Sequence, residues 1–308
     1  MTAESSGIVL GTRGSELARA QARLVEKAIQ TRRAEVEIET KIIATKGDTA
    51  KVLDLRAGRK GLFTAEIERA LLAGDVDVAV HSAKDLPSET NPGAEIAAVL
   101  PRAPLDDVLI LKHSEALVQL PERATIATGS VRRKHQLSWK RPDLKLVDLR
   151  GNVPTRLRKL AESDWDGIVL AHAGLERLGI SMQSVFHFES REFFLQVLPS
   201  ESFLPAGGQG IVAMQIRAAD QKVRAIVDLA NHLETLLCLR AEREFLRLLQ
   251  GDCNSPVGVL AKIGDGKMKL RAQVFRDGSI APREGEVEGA FDEGEKLAGE
   301  LLRQIDQE

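Results

Sequence analysis

One arrangement recurs three times in this chain: an apolar run, a turn of Ser, Gly and Arg, then an amphipathic helix. It falls at Thr12–Ser15, Thr128–Arg133 and Arg150–Arg156. Strands that alternate with helices in this way specify an α/β fold with largely parallel sheets. Residues 7–12 (GIVLGT) read as a buried strand, and Ser15 caps a helix whose apolar face is Leu17, Ala20, Leu24, Val25 and Ala28. Val36 to Ala44 reads as a second strand, Thr64 opens a helix through Ile67, Ala70 and Leu71, and Val76 to Val80 is a third strand. After Pro101-Arg102-Ala103-Pro104 a second unit begins, with strands at Val108 to Leu111, Thr125 to Thr128, Leu144 to Leu149 and Gly167 to Ala171. Its helices run from Val131 to Lys140, Val153 to Ala161 and Gly174 to Leu178. Each turn leaves backbone N–H groups unpaired at a helix N-terminus, where anions are attracted. Two such units facing one another build a cleft lined with anion sites.

The character changes after Pro205-Ala206-Gly207-Gly208-Gln209-Gly210. A long helix is expected from Asn231 to Leu249, with Leu233, Leu236, Leu237, Arg240 and Ala241 on one side. Strand-like pieces follow at Val257 to Ile263, Lys269 to Arg276 and Ile280 to Glu288, and an amphipathic helix with Leu297, Leu301, Leu302 and Ile305 closes the chain. This region reads as a smaller α+β domain, and 308 residues in all suit two or three domains. Residues 46–60 have no clear period and carry Gly47, Gly58, Arg56, Arg59 and Lys60, as a functional lid loop would. No apolar stretch nears the roughly 18 residues that cross a bilayer, so no membrane partner is expected. The start, MTAESSG, lacks the basic and apolar parts of a secretory signal, which favours the cytoplasm.

The basic residues carry more information than the net charge of −2. The 27 Arg outnumber the 16 Lys, and many sit beside Gly and short polar residues at turns. A guanidinium matches a carboxylate or phosphate with two hydrogen bonds, so a small polyanion is the expected ligand. Arg19, Arg23, Arg240, Arg243 and Arg247 stand at helical spacing and read instead as solvated helix faces. Residues 76–89 (VDVAVHSAKDLPSE) form an apolar run that stops at Lys84 and Asp85. In open α/β sheets ligands bind beyond the carboxyl ends of strands, which makes Asp85 a catalytic candidate. The same pair is also what an ordinary surface ion pair looks like.

Other chemistries are disfavoured. There is no phosphate loop, the six histidines lack metal-ligand spacing, and no CxxC occurs. Arg132-Arg133-Lys134-His135 stands in a unit that is not basic overall, so nucleic acid is not an expected partner. The two cysteines form no disulfide framework. Cys238 lies in an apolar helix and reads as core, whereas Cys253 sits in a Gly/Pro turn, either as a structural residue or as a presented thiol.

Taken together, the motifs closely resemble the porphobilinogen deaminase (hydroxymethylbilane synthase) family. They are RGSELARAQA from Arg13, KGLFTAEIE from Lys60, VHSAKDLP from Val80, TGSVRRKHQL from Thr128, RGNVPTRLRKL from Arg150, LAHAGLERLG from Leu170, LPAGGQG from Leu204 and GDCNSPVG from Gly251. The resemblance implies two periplasmic-binding-protein-like (type II) α/β domains that form a cleft, plus a smaller C-terminal α+β domain. Domain 1 would comprise residues 1–103 and 200–217, domain 2 residues 104–199 and domain 3 residues 218–308. The implied activity is a transferase reaction of tetrapyrrole (haem) biosynthesis. Four porphobilinogen molecules join head to tail with release of ammonia, and water then releases the linear tetrapyrrole. The implied cofactor is dipyrromethane, bound by a thioether to Cys253. A non-catalytic small-anion-binding protein on the same scaffold is the alternative.

Residue roles follow from the same resemblance. Asp85 would face the pyrrole N–H groups and stabilise the cation left when ammonia departs. Ser82, Lys84, Thr128, Ser130, Arg132 and Arg133, with Asp85, would hold the cofactor. Arg13, Ser15, Gln21, Lys60, Arg150, Arg156 and Arg177 would hold substrate carboxylates. His81 is expected to be either a turn residue or a residue supporting the site from behind, and not the proton carrier, and His172 a packing residue. No metal is implied. A monomer is implied, with product passing to a downstream uroporphyrinogen-forming enzyme. The chain departs from the family pattern at Arg59, at Asp252 beside Cys253, in the shortened tract Arg102 to Asp106, and at Gln215 where Glu is common. A carboxylate next to Cys253 is expected to raise its thiol pKa.

Overall fold

A computed structural model of the chain describes residues 7–45, 64–113, 116–251, 255–276 and 278–307. Residues 46–60, where a lid loop is expected, Lys60 among them, and Cys253 lie outside the described residues.

The apolar runs become the strands of two sheets with a common plan. In the first, β1 (Ile8–Thr12), β2 (Ile38–Ile42) and β3 (Val78–Ser82) are parallel. β4 (Ala94–Val99) completes the sheet, in the order β2-β1-β3-β11-β4. β11 (Val212–Arg217) runs antiparallel to both its neighbours, so a strand from far along the chain occupies the sheet interior. The second sheet has six strands. Here β6 (Thr125–Ala127), β7 (Lys145–Val147) and β8 (Gly167–Ala171) are parallel. The antiparallel strand next to β8 is β5 (Asp107–Leu111), followed by the hairpin of β9 (Val185–Phe188) and β10 (Arg191–Leu198). Each sheet thus receives its reversed strand directly after the chain crosses between units, once near residue 103 and once near residue 205. This is the two-unit α/β plan the resemblance implies.

Helices cover both sheets. The first carries α1 (Glu16–Arg32) and α2 (Ala65–Leu72). The second carries α3 (Val131–Lys140), α4 (Val153–Glu162) and α5 (His172–Arg177). Leu10, Val25, Ile29, Val78, Val80, Val212 and Met214 form much of the first core, each stabilising it by about 1.5–3 kcal/mol relative to exposure. Val223, Ile226 and Val227 of α6 (Gln221–Val227) join that core. The helix therefore packs with the first sheet and not with the region from 218 onward, where the sequence placed it.

The face of α1 also differs from the sequence reading. Ala18, Gln21, Ala22, Val25 and Ile29 are buried, while Leu24 is 40% exposed. Small Ala18 and Ala22 let the helix approach the sheet closely. Leu17 turns toward the second unit, where it lies 3.8 Å from the position a Cβ would take on Gly174.

The third unit is the antiparallel sheet of β12 (Val257–Gly264), β13 (Lys267–Val274) and β14 (Arg283–Ala290). Its core packs against α7 (Leu233–Leu248) and α8 (Gly294–Gln307) through Cys238, Ala241, Phe245, Leu297, Leu301 and Ile305. Leu233, expected on the buried face of α7, is 59% exposed, and Glu242 is fully buried. Arg102 explains the inward turn of Glu242, since it donates to both of its oxygens at 2.6 and 3.2 Å. The same carboxylate accepts the N–H of Gly208 (2.7 Å) and of Ala261 (2.8 Å). The shortened tract at Arg102 therefore does make its inter-unit contact. The Arg102–Glu242 ion pair thus ties both crossing segments to α7 and β12.

Candidate active site

The site is assembled at the carboxyl ends of the parallel strands. His81 and Ser82 are the last residues of β3, and Ala83–Asp85 forms a 3-10 turn immediately after it. His81 is thus a buried strand residue and not a turn residue. Ser15 caps α1 by accepting the N–H of Ala18 at 3.3 Å. One turn further along, the buried Gln21 donates to Ser82 Oγ at 2.8 Å, and the Ser82 hydroxyl donates to Gln21 Oε1 at 3.1 Å. Arg13, Ser15, Gln21, His81, Ser82 and Asp85 line one cleft.

The crossing segment presses on this turn. Gly208 has φ +75°, and a Cβ there would lie 3.0 Å from the backbone of Ala83 and Lys84. Gly210, with φ +84°, sits so close to Ala103 that a Cβ would come within 2.5 Å of its carbonyl oxygen. Both positions need glycine, for conformation and for space.

Across the cleft, Asp107 at the start of β5 is completely buried and receives Arg132 Nη2 at 2.7 Å and Arg133 Nη2 at 2.6 Å. Gln209 Nε2 adds a third bond at 3.0 Å. Arg132 also donates to Leu204 O and Arg133 to Val169 O. Ser130 caps α3 by accepting the N–H of Arg133, and Thr128 Oγ1 accepts the N–H of Ser130. Burial alone would raise the Asp107 carboxyl, but the two guanidiniums outweigh it and hold it well below the usual carboxylate range.

Two groups nearby sense this cluster. Burial pushes the Lys84 ammonium down to about 8, with Arg133 adding to the effect and Asp85 opposing it. Burial likewise lowers Arg156 to about 10, again aided by Arg133 and opposed by Asp85. Among the described residues, Lys84, Arg132, Arg133 and Arg156 therefore share one neighbourhood with Asp85 and Asp107 as counter-charges. That excess of fixed cations favours an anionic ligand.

The remaining candidates are placed less directly. Arg150 precedes the Asn152 cap of α4, and Arg156 Nε donates to Gly151 O at 2.7 Å. Arg177 Nη2 donates to Gly210 O at 2.6 Å, which ties α5 to the crossing segment. His172 is half-buried at the start of α5, as a packing residue would be. Arg243 is not on a solvated face. It donates to Ser88 O at 3.2 Å, and burial pulls its pKa down to about 10. Asp107 and Gln209 escaped the sequence reading. Asp107 has one visible signal, an acidic residue heading a run of four apolar ones.

Comparison with known proteins decides the family. The family model described as "Porphobilinogen deaminase, dipyromethane cofactor binding domain" matches residues 8–225. That described as "Porphobilinogen deaminase, C-terminal domain" matches residues 236–304. The chain belongs to the porphobilinogen deaminase family. It is 43% identical to the porphobilinogen deaminase of Syntrophomonas wolfei over 96% of this chain and 94% of that one. It is 42% identical to the porphobilinogen deaminase of Moorella thermoacetica over 96% and 93% of the two chains. Among solved structures, the methionine binding protein MetQ aligns with 76% of this chain and 93% of its own, at 12% identity and a TM-score of 0.45.

The residues present fit the dipyrromethane cofactor of porphobilinogen deaminases. Among the described residues, Arg132 Nε and Arg133 Nε are buried donors without a hydrogen-bond partner. Buried N–H groups need acceptors, and a cofactor carboxylate is a suitable one.

Proposed function

We propose that the protein condenses four porphobilinogen molecules into hydroxymethylbilane, with Asp85 as its catalytic carboxylate and Cys253 as the thioether anchor of dipyrromethane. The observation that carries this reading is the Lys84–Asp85 turn facing two arginines fixed on Asp107, whose Nε donors lack partners among the described residues. Bound dipyrromethane supplies the pyrrole carbon to which substrate units are joined.

The residues of the chain do the rest. Lys84, Arg132 and Arg133, with Ser82, Thr128 and Ser130, hold cofactor carboxylates. Arg13, Arg150, Arg156, Arg177 and Lys60, with Ser15 and Gln21, hold the acetate and propionate of incoming substrate. As ammonia leaves porphobilinogen, positive charge spreads onto the pyrrole nitrogen, and Asp85 opposes that charge in a partly dehydrated cleft. The carboxylate is also placed to take or return a proton at that nitrogen.

Cys253 is preferred over Cys238 on chemical grounds. Cys238 is buried on α7, and burial together with Glu242 pushes its thiol up to about 12. On the same reading the chain divides into residues 1–103 with 200–217, residues 104–199 and residues 218–308, except that α6 goes with the first of these, on whose core it packs. It works as a cytoplasmic monomer and passes its product to a uroporphyrinogen-forming enzyme. No helix of the described residues is long and apolar enough to cross a membrane.

A non-catalytic anion-binding protein on this scaffold would need neither Asp85 nor a thiol adduct, and membership of the family disfavours it. Intact-mass measurement separates the two readings. The purified chain is expected to carry two pyrrole units that Cys253→Ala lacks. An unmodified chain that releases no ammonia from porphobilinogen would rule the enzyme out.

A further inference from the structure

His81 belongs to a hydrogen-bond chain that the reaction as described does not use. On β3 it pairs with Ala213 of β11, and two residues on, Gln215 projects from the same face of the sheet. His81 Nε2 lies 3.1 Å from Gln215 Oε1, and Gln215 Nε2 lies 2.8 Å from Glu68 Oε2 on α2. Both His81 and Gln215 are buried.

The order of donors in this chain follows from its end. A carboxylate only accepts, so Glu68 requires the NH2 side of the Gln215 amide. The amide oxygen must then face His81, and it too only accepts. The ring nitrogen opposite it must therefore carry the proton. In a neutral imidazole this leaves Nδ1 unprotonated, as an acceptor.

The surroundings also disfavour a second proton on the ring. Burial is the main cause that pulls the His81 pKa down, to about 4, and Arg243 on α7 and Arg13 after β1 add to it. The Gln215 bond acts in the opposite sense. Of the two acidic residues on α2, Glu66 and Glu68, it is Glu68 that reaches His81, through the Gln215 amide, and Asp85 lies along the same cleft.

We infer that Glu68 and Gln215 are positioning residues that hold His81 as the neutral Nε2–H tautomer, so that the ring adds no positive charge to the cleft wall beside Asp85. The carboxylates are left to the arginines, and the ring is not the proton carrier of the reaction. The inference rests on the deaminase reading for its choice of substrate, but its main readout needs no turnover.

The test is 1H–15N correlation NMR of the imidazole rings in the full chain, with the His81 signals assigned by comparison with His81→Asn. The expected pattern is Nε2–H, unchanged from about pH 8 down to about pH 5. Glu68→Gln frees the Gln215 amide to turn over, so a second, Nδ1–H population is expected. With it, kcat should fall by about fivefold, the worth of one net hydrogen bond, at unchanged KM. Glu68→Asp, which keeps the carboxylate, should retain the parent pattern. If Glu68→Gln does not fold, Gln215→Met removes the same restraint from the other side. A parent ring found as Nδ1–H, or as imidazolium above pH 6, overturns the inference. So does a Glu68→Gln or Gln215→Met protein with unaltered tautomer and kcat. A chain without deaminase activity but with the Nε2–H pattern would count against the substrate reading alone.

Discussion

Asp85 and Asp107 are both carboxylates at strand ends near arginines, yet their surroundings give them different work. Asp107 accepts from two guanidiniums and an amide in full burial, so its charge is consumed in building the anion site. Asp85 lines the cleft itself. Their Asn variants should therefore fail in different ways. Asp107→Asn leaves two buried guanidiniums facing a neutral amide and should cost about 3–5 kcal/mol of stability. Asp85→Asn should change stability by less than about 1 kcal/mol and lower kcat by about a hundredfold to a thousandfold. Denaturant melts and ammonia-release assays on both proteins read this contrast, and equal losses of stability would refute it. Asp85 was legible in sequence because a charged pair ends an apolar run at a strand terminus. Asp107 was not, because the arginines that bury its charge stand 25 and 26 residues later, a separation no local pattern reports.

At the scale of elements, the crossing segment works as a wedge against the turn that carries Lys84 and Asp85. Gly208→Ala would meet both a left-handed backbone and the Ala83–Lys84 backbone at 3.0 Å. A loss of about 1–3 kcal/mol is expected, together with a clear fall in kcat as the turn shifts. Gly266 provides the control. With φ +74° in the two-residue hairpin between β12 and β13, it has nothing within 4 Å of a Cβ. Gly266→Ala should show only the backbone cost and keep full turnover; if it loses as much activity as Gly208→Ala, the wedge has no special role. Legibility among elements followed local chemistry. α3 runs from Val131 to Lys140 as read, because Ser130 supplies a cap that accepts the N–H of Arg133. β4 was missed because Ala94, Ala97 and Ala98 have weak strand character. The β9–β10 hairpin turns through Glu189 at φ 53°, without the Asn-Gly or Asp-Gly signal that marks such turns. The burial of α7 was rotated from expectation because Glu242 points inward to meet Arg102, a partner 140 residues away.

At the scale of the whole molecule, the site depends on three units held in register, and acid should loosen that register before it alters the chemistry. Burial depresses His81 from 6.5 to about 4, so between those values the unfolded chain binds more protons than the folded one. The associated stability is fully present above pH 6.5 and is lost as pH falls through about 4. Its size is about 3 kcal/mol. Urea unfolding of the parent and of His81→Asn at about pH 7 and about pH 4.5 should isolate this slope. Parallel pH dependences in the two proteins would show that His81 has no part in it.

The placement of β11 has a further consequence, for the order in which the protein is made. Every strand of the second sheet lies between residues 107 and 198, whereas the first sheet lacks an interior strand until residues 212–217 have been synthesised. On the ribosome, β3 therefore waits with one edge unpaired while its partner unit is completed. The strand that delivers Asp85 is among the first to be translated, yet it belongs to a sheet that closes only after its neighbour.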